Sequence, residues 1–364
     1  MRVLILEPYP GWRWVSIHRF AETTATILRD FGVDVTRARA PWWGWYVLRH
    51  PSAAGWRRAS AVRAAMAGGI DSVLIADVAL AHHAPLFRRT RVVVAVHGLL
   101  ALDPERYWAG RLERVTKPLA LKVPFSRLRA ADALLAVSGS VARDVRDRLS
   151  VPPARTRIVP NALPGGLIRM PREVAEETLA RNGHPLPGGA RVLSVGHTVG
   201  YKNLPLLIDA MSEPRMRGAV LVRVGERFNR QLRQKARALI AEGRLVELGP
   251  LSGECLSAAY SACDVLAQPS VAEGFGYPVI EAQACGLPVV CSDGGALPEI
   301  AGDGAIVISL ASADPAAEFA RALARVLGES GLAERLRLAG CRNVERFAPS
   351  SVGPQLIEAL SPVA

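Results

Sequence analysis

The chain has 364 residues, half of them apolar, which is too many for one ordinary core and about right for two domains. No stretch reaches the ~18 uninterrupted apolar residues that span a bilayer, and five cysteines without any Cys-x-x-Cys spacing argue against a disulfide framework or zinc site, so a cytoplasmic setting is expected. The basic excess is lopsided: residues 1–165 carry 25 Lys+Arg against 12 Asp+Glu, residues 166–364 carry 20 against 21, and all seven tryptophans fall in the first half.

Residues 2–6 predict a buried strand whose apolar run is too short for a signal peptide. Residues 8–15 are rich in proline, glycine and aromatics and read as a loop. Ile17, Phe20, Ala21, Thr24, Ile27, Leu28 and Phe31 then fall at helical spacing, with Gly32 as the C-terminal cap. Val33 and Val35 open the next strand, and β-branched runs follow at 72–75, 92–96 and 133–137. The Pro- and Gly-rich stretch 159–166 reads as an interdomain linker. Beyond it strands are predicted at 191–195, 219–224, 245–248, 265–268 and 288–291. Apolar runs alternating with helices argue for parallel sheets covered on both faces. The expected architecture is α/β: two Rossmann-like domains facing each other across a cleft, the first over 1–165 and the second over 166–345, with 346–364 packing back toward the first. Ligands in such sheets bind beyond the carboxyl ends of the strands.

The densest signal lies in residues 268–282. A strand ends near Gln268, a loop with Gly274 and Gly276 follows, and a helix begins in which Pro278 suits the first turn and Gly286 the cap. The glycines let backbone amides approach a ligand closely, and a helix N-terminus favours a diphosphate. Glu273 precedes the glycine loop and Glu281 lies about one turn into the helix. One carboxylate can accept hydrogen bonds from sugar hydroxyls and the other from a ribose.

Ser270, Glu273, Gly274, Phe275, Gly276, Pro278, Glu281 and Ala282 form a pattern that closely resembles the donor domain of the B-type (GT-B) glycosyltransferase fold, in particular the retaining family four, or group 1, enzymes. Residues 286–290, 294–300 and 259–264 match the same family. The resemblance implies that Glu273 binds donor-sugar hydroxyls, that Gly274, Phe275, Gly276 and Tyr277 line the sugar and phosphates, that Glu281 binds the ribose, and that the loop holding Gly249 and Leu251 contacts the base. In the family an arginine and a lysine five apart clamp the diphosphate. Lys202 matches the lysine, but His197 stands where the arginine usually is, and histidine offers no bidentate fork. In a chain with four lysines, a lysine in this loop also argues on its own for a point-charge role. In the first half the resemblance places Gly11 in a glycine loop facing the donor and His97 near the transferred sugar.

The expected activity is transfer of a hexosyl group from UDP-sugar or GDP-sugar to an acceptor hydroxyl with retention, with no cofactor. No Asp-x-Asp sequence occurs, so no metal is expected. Glu273, Lys202 and His97 are the candidate catalytic residues. Tryptophan and arginine concentrate in residues 42–58 and 106–129, which suits an anionic membrane surface and a lipid-linked or cell-envelope glycan acceptor, the enzyme then being peripheral on the inner membrane face in polysaccharide biosynthesis. The same pattern suits a solvated basic surface on a soluble tailoring enzyme with a small-molecule acceptor. A nucleotide-sugar epimerase is a further alternative. No nucleic-acid motif appears.

Overall fold

The computed structural model describes residues 1–9, 15–40, 60–99, 102–103, 115 and 122–362. These divide into two compact units, one formed by the chain up to Pro164 and again from Phe347, the other by Gly165–Arg346.

The first unit holds a parallel sheet ordered β2-β1-β3-β4-β5-β6, with β1 Arg2–Pro8, β2 Asp34–Ala40, β3 Ser72–Ile75, β4 Arg91–Val96, β5 Ala133–Ala136 and β6 Thr156–Ile158. The central strands are buried on both faces, as continuous apolar runs require. The helix Val15–Asp30 follows β1 and ends at Gly32, whose φ of 77° is the left-handed cap conformation. Phe31, counted above with the apolar face, lies past the last helical residue and is 42% exposed. Its ring meets the helix Pro349–Leu360, where a Cβ on Gly353 would lie 2.4 Å from the ring edge, so only glycine admits that approach. Arg91 Nη2 donates to the Ala359 carbonyl at 3.2 Å, and Leu163 N–H donates to the Phe347 carbonyl at 2.8 Å.

The second unit holds a parallel sheet ordered β12-β11-β10-β7-β8-β9, with β7 Ala190–Gly196, β8 Ala219–Gly225, β9 Leu245–Gly249, β10 Val265–Gln268, β11 Val289–Ser292 and β12 Ala305–Ile308. Its strands split their side chains by parity. Val192, Leu221, Val265, Ala267 and Val290 join one core with the helices Leu204–Ser212 and Pro315–Gly328. Leu193, Val220, Val222, Leu266 and Val289 join the other with the helices Gly253–Ala262 and Tyr277–Ala284. Sheet order reverses at β7, since β8 and β9 extend to one side and β10 to the other. The loops after β7 and β10 therefore flank the switch point at which doubly wound sheets bind ligands.

Two strands were absent from the sequence reading. In β6 two of three residues are exposed, and β12 is half-buried at the other sheet's edge, so neither carries a strong burial pattern.

Candidate active site

The loop after β7 runs through His197 and Thr198 to Lys202, and Asn203 turns it at φ 51° into the helix Leu204–Ser212. The loop after β10 runs through Glu273 to Gly276, whose φ of 102° opens the helix Tyr277–Ala284 with proline in its first turn. Val271 N–H donates to the Tyr201 carbonyl at 2.8 Å and ties the two loops together.

Across this junction Lys202 Nζ lies 2.7 Å from Glu273 Oε1, both side chains nearly buried. Gln268 Nε2 and Ser270 Oγ each donate to the same oxygen at 2.8 Å. Burial works against the charge on Lys202, but the Glu273 carboxylate outweighs it and holds the lysine pKa above its ordinary value. Lys202 is thus a fixed cation. The backbone around Glu273 is clamped from the third loop, after β11. Ala296 N–H donates to the Glu273 carbonyl at 2.8 Å, and a Cβ on Gly295, at φ 64°, would lie 2.4 Å from that carbonyl oxygen. Gly276 is crowded as well, since a Cβ there would lie 2.9 Å from Leu297. Phe275 is buried, and its ring meets that of Tyr277 edge-on at 5.4 Å between centroids.

Glu281 lies deeper. It is 2% exposed, and the buried Tyr260 hydroxyl donates to its Oε2 at 2.6 Å. Gly249 ends β9 at φ 76° with open space around its Cα, so its backbone conformation, not crowding, favours glycine. Leu251 packs its side chain against the core of that face.

His197 does not pair with Lys202. Its Nδ1 lies 3.8 Å from Glu226 Oε2, and that carboxylate oxygen accepts the Thr198 N–H at 2.9 Å. Desolvation lowers the His197 pKa, Glu226 opposes this, and Lys202 and Arg223 add to it, so the ring is neutral at pH 7. The Thr198 N–H in turn holds the Glu226 carboxyl below its ordinary value.

His97, in the first unit, follows β4. Its Nε2 donates to the Ala76 carbonyl at 3.0 Å, and the ring stands edge-on to Phe20 at 4.7 Å. Burial pushes its pKa down to about 4, so it is a neutral imidazole with the proton on Nε2 and Nδ1 an acceptor. Near the end of β1, buried Glu7 accepts from Arg37 Nη2 at 2.8 Å and meets His18 Nδ1 at 2.9 Å, a network that sequence reasoning did not foresee. Gly11, residues 42–58 and most of 106–129 lie outside the described residues.

Sequence reasoning gave no role to Tyr260, Gln268, Arg223 or Glu226. Gln268 and Ser270 sit within the motif itself and were open to inspection. Arg223 and Glu226 come from β8 and the loop after it and Tyr260 from the helix Gly253–Ala262, so spacing along the chain does not show the contacts they make.

The family model for glycosyl transferases group 1 matches residues 177–341, and that for glycosyltransferase family 4 matches residues 15–164. A D-inositol 3-phosphate glycosyltransferase from Geodermatophilus obscurus is 34% identical over 238 residues, 61% of this chain and 52% of that protein. The chain spans about half the length of the curated relatives it matches. Among solved structures, a sucrose-phosphate synthase from Thermosynechococcus elongatus has a TM-score of 0.77 at 18% identity, with 98% of each chain covered. HepE of Anabaena, in complex with UDP and glucose, has a TM-score of 0.74 at 18% identity, again with 98% of each chain covered. Those likenesses place both parallel sheets in the GT-B fold class, and the two family models between them take in most of both units: the chain belongs to the group 1 glycosyltransferases.

Proposed function

We propose that the chain transfers a glycosyl group from a nucleoside diphosphate sugar to an acceptor hydroxyl, with the donor held by the second unit. The observation that carries this reading is the Lys202–Glu273 pair at the switch point of β7 and β10. Three donors converge on Glu273 Oε1, which leaves Oε2 to accept from sugar hydroxyls. Lys202 and the first turn of the helix after Gly276 supply positive charge where the departing diphosphate gains negative charge. Glu281, oriented by Tyr260, takes the ribose, and the turn at Gly249 and Leu251 borders the base. His97 offers Nδ1 as an acceptor and no cationic charge.

The step we favour is retaining and needs no metal. The bond from the anomeric carbon to the diphosphate breaks, the acceptor oxygen bonds to that carbon on the same face, and the acceptor proton passes to the departing phosphate oxygen. The donor is UDP-sugar or GDP-sugar. The acceptor is a lipid-linked or cell-envelope glycan, or else a small molecule. Polyol phosphates belong among the small-molecule acceptors to be tried because the relatives' names include D-inositol 3-phosphate. Among the described residues no helix is long and apolar enough to cross a membrane. Sedimentation with anionic liposomes decides between the two acceptor classes: salt-sensitive binding supports the membrane-surface reading and no binding supports the soluble one.

The primary test is a thermal-shift screen against UDP, GDP and their sugars, since a ligand of the native state raises the melting point. Activity with the stabilising donor should then disappear in Glu273→Ala. Full activity in that variant, or no stabilisation by any nucleoside diphosphate, overturns the reading.

A further inference from the structure

Among the described residues the largest fully buried side chain is an arginine. Arg223, on β8, is 1% exposed. Its Nη1 donates to the Val224 carbonyl at 3.1 Å, and its Nη2 donates to the carbonyls of His197, at 3.1 Å, and Gly196. No carboxylate among the described residues lies within ion-pair distance of it. Two acids, Glu226 and Glu247, favour its charge from beyond ion-pair distance, and each hydrogen-bonds elsewhere: Glu226 to the Thr198 N–H, Glu247 to the Phe228 N–H and Arg233. Its Nε has no hydrogen-bond partner among the described residues. Burial pushes its pKa down to about 10, so it still carries its charge at neutral pH. A buried charge with no carboxylate in contact is costly, and such groups are ordinarily paired.

The place of this charge is informative. Gly196 and Gly225 end neighbouring strands so closely that a Cβ on Gly225 would lie 2.3 Å from the Gly196 carbonyl oxygen, and a Cβ on Gly196 would sit 3.5 Å from Lys202 Cε. The guanidinium thus lies beneath the turn that carries His197 and Lys202, and its charge depresses the protonation of both. It draws two consecutive carbonyls of that turn inward.

We propose that Arg223 is a positioning residue of the donor-phosphate loop and its second permanent positive charge, standing beneath the turn at which His197 offers no bidentate fork. The inference rests on the second unit's being the nucleoside diphosphate site, and the diphosphate is then a further anion within reach of this charge. Because the guanidinium acts through the loop, its loss should fall on phosphate recognition and spare the base and ribose.

The test compares calorimetric binding of UDP and GDP with that of uridine and guanosine. In Arg223→Met the affinity for the diphosphate that the wild type prefers should fall about ten-fold, ~1.4 kcal/mol, while nucleoside affinity stays unchanged. His197→Arg added to Arg223→Met should restore most of the loss. Equal weakening of nucleoside and diphosphate, or no weakening in a variant that still melts cooperatively, overturns the proposal. Should Arg223→Met fail to fold, Arg223→Lys keeps a charge but loses the fork that holds two carbonyls. Diphosphate affinity that falls in Arg223→Lys and recovers on adding His197→Arg supports the proposal, and affinity unmoved by either change overturns it. A wild-type chain that binds neither UDP nor GDP refutes the donor-site reading itself. One that binds them equally well with and without Arg223 refutes only the present inference.

Discussion

Replacing Lys202 with methionine removes the cation 2.7 Å from a carboxylate that is itself only 11% exposed. At an effective dielectric of about 20 the lost attraction is ~6 kcal/mol, an upper bound that desolvation of both groups reduces. Breaking one side of a buried pair ordinarily costs about 3–5 kcal/mol. Here Gln268 and Ser270 still donate to Glu273 Oε1, so the lower end applies. A loss of ~3 kcal/mol corresponds to a fall in melting temperature of about 6–12 °C for a domain of this size. Adding Glu273→Gln removes the unpaired charge and should recover most of the melting temperature, while transferase activity stays at least ~100-fold down because the phosphate cation is gone. Differential scanning calorimetry, run beside a donor-turnover assay, reads both effects. A Lys202→Met protein that melts within 1 °C of wild type and keeps its turnover would refute the claim that this pair organises the site.

Tyr260→Phe deletes the hydroxyl that donates to Glu281, so donor KM should rise about ten-fold with kcat little changed, in line with ~1.5 kcal/mol for a hydrogen bond to a charged group; steady-state kinetics with varied donor checks it. Gly295→Ala sets a Cβ against the Glu273 carbonyl at positive φ, so the loop must shift; a lowered melting temperature together with lost turnover is expected, and unchanged turnover would contradict the clamp described for Glu273. His97 has its folded-state pKa depressed to about 4 against an ordinary 6.5, so between those values the unfolded chain binds more protons and stability falls as pH drops from ~6.5 to 4. His97→Gln should flatten that decline in urea titrations at pH 5 and pH 7, whereas an unaltered slope would show that the ring is not desolvated.

The alternation of apolar runs with amphipathic helices made both sheets readable, because strands covered on two faces must be apolar throughout. Edge strands escape that logic: β6 and β12 meet solvent and show no such run. The Glu273 loop was legible because strand, glycines, proline and carboxylates all lie within fifteen residues. Lys202 stood out through the rarity of lysine in this chain. What stayed hidden depends on contacts between distant segments. The Tyr260 hydroxyl reaches Glu281 across 21 residues, and Arg223 reaches the His197 carbonyl across 26. In sequence Arg223 looks like a polar interruption of a strand. Only the facing glycines at 196 and 225 turn that position into an interior socket for a guanidinium.

Among the described residues, the return of the helix Pro349–Leu360 to the first unit makes Gly165–Arg346 an insert within the other unit's chain. Gly165–Arg346 can therefore close through contacts within one continuous stretch, whereas the first unit must bring Ala359 to Arg91, 268 positions upstream, a closure of far higher sequence separation. A stop after Arg346 would thus spare the Lys202–Glu273 junction and leave the first unit without the helix that meets Phe31 and Arg91.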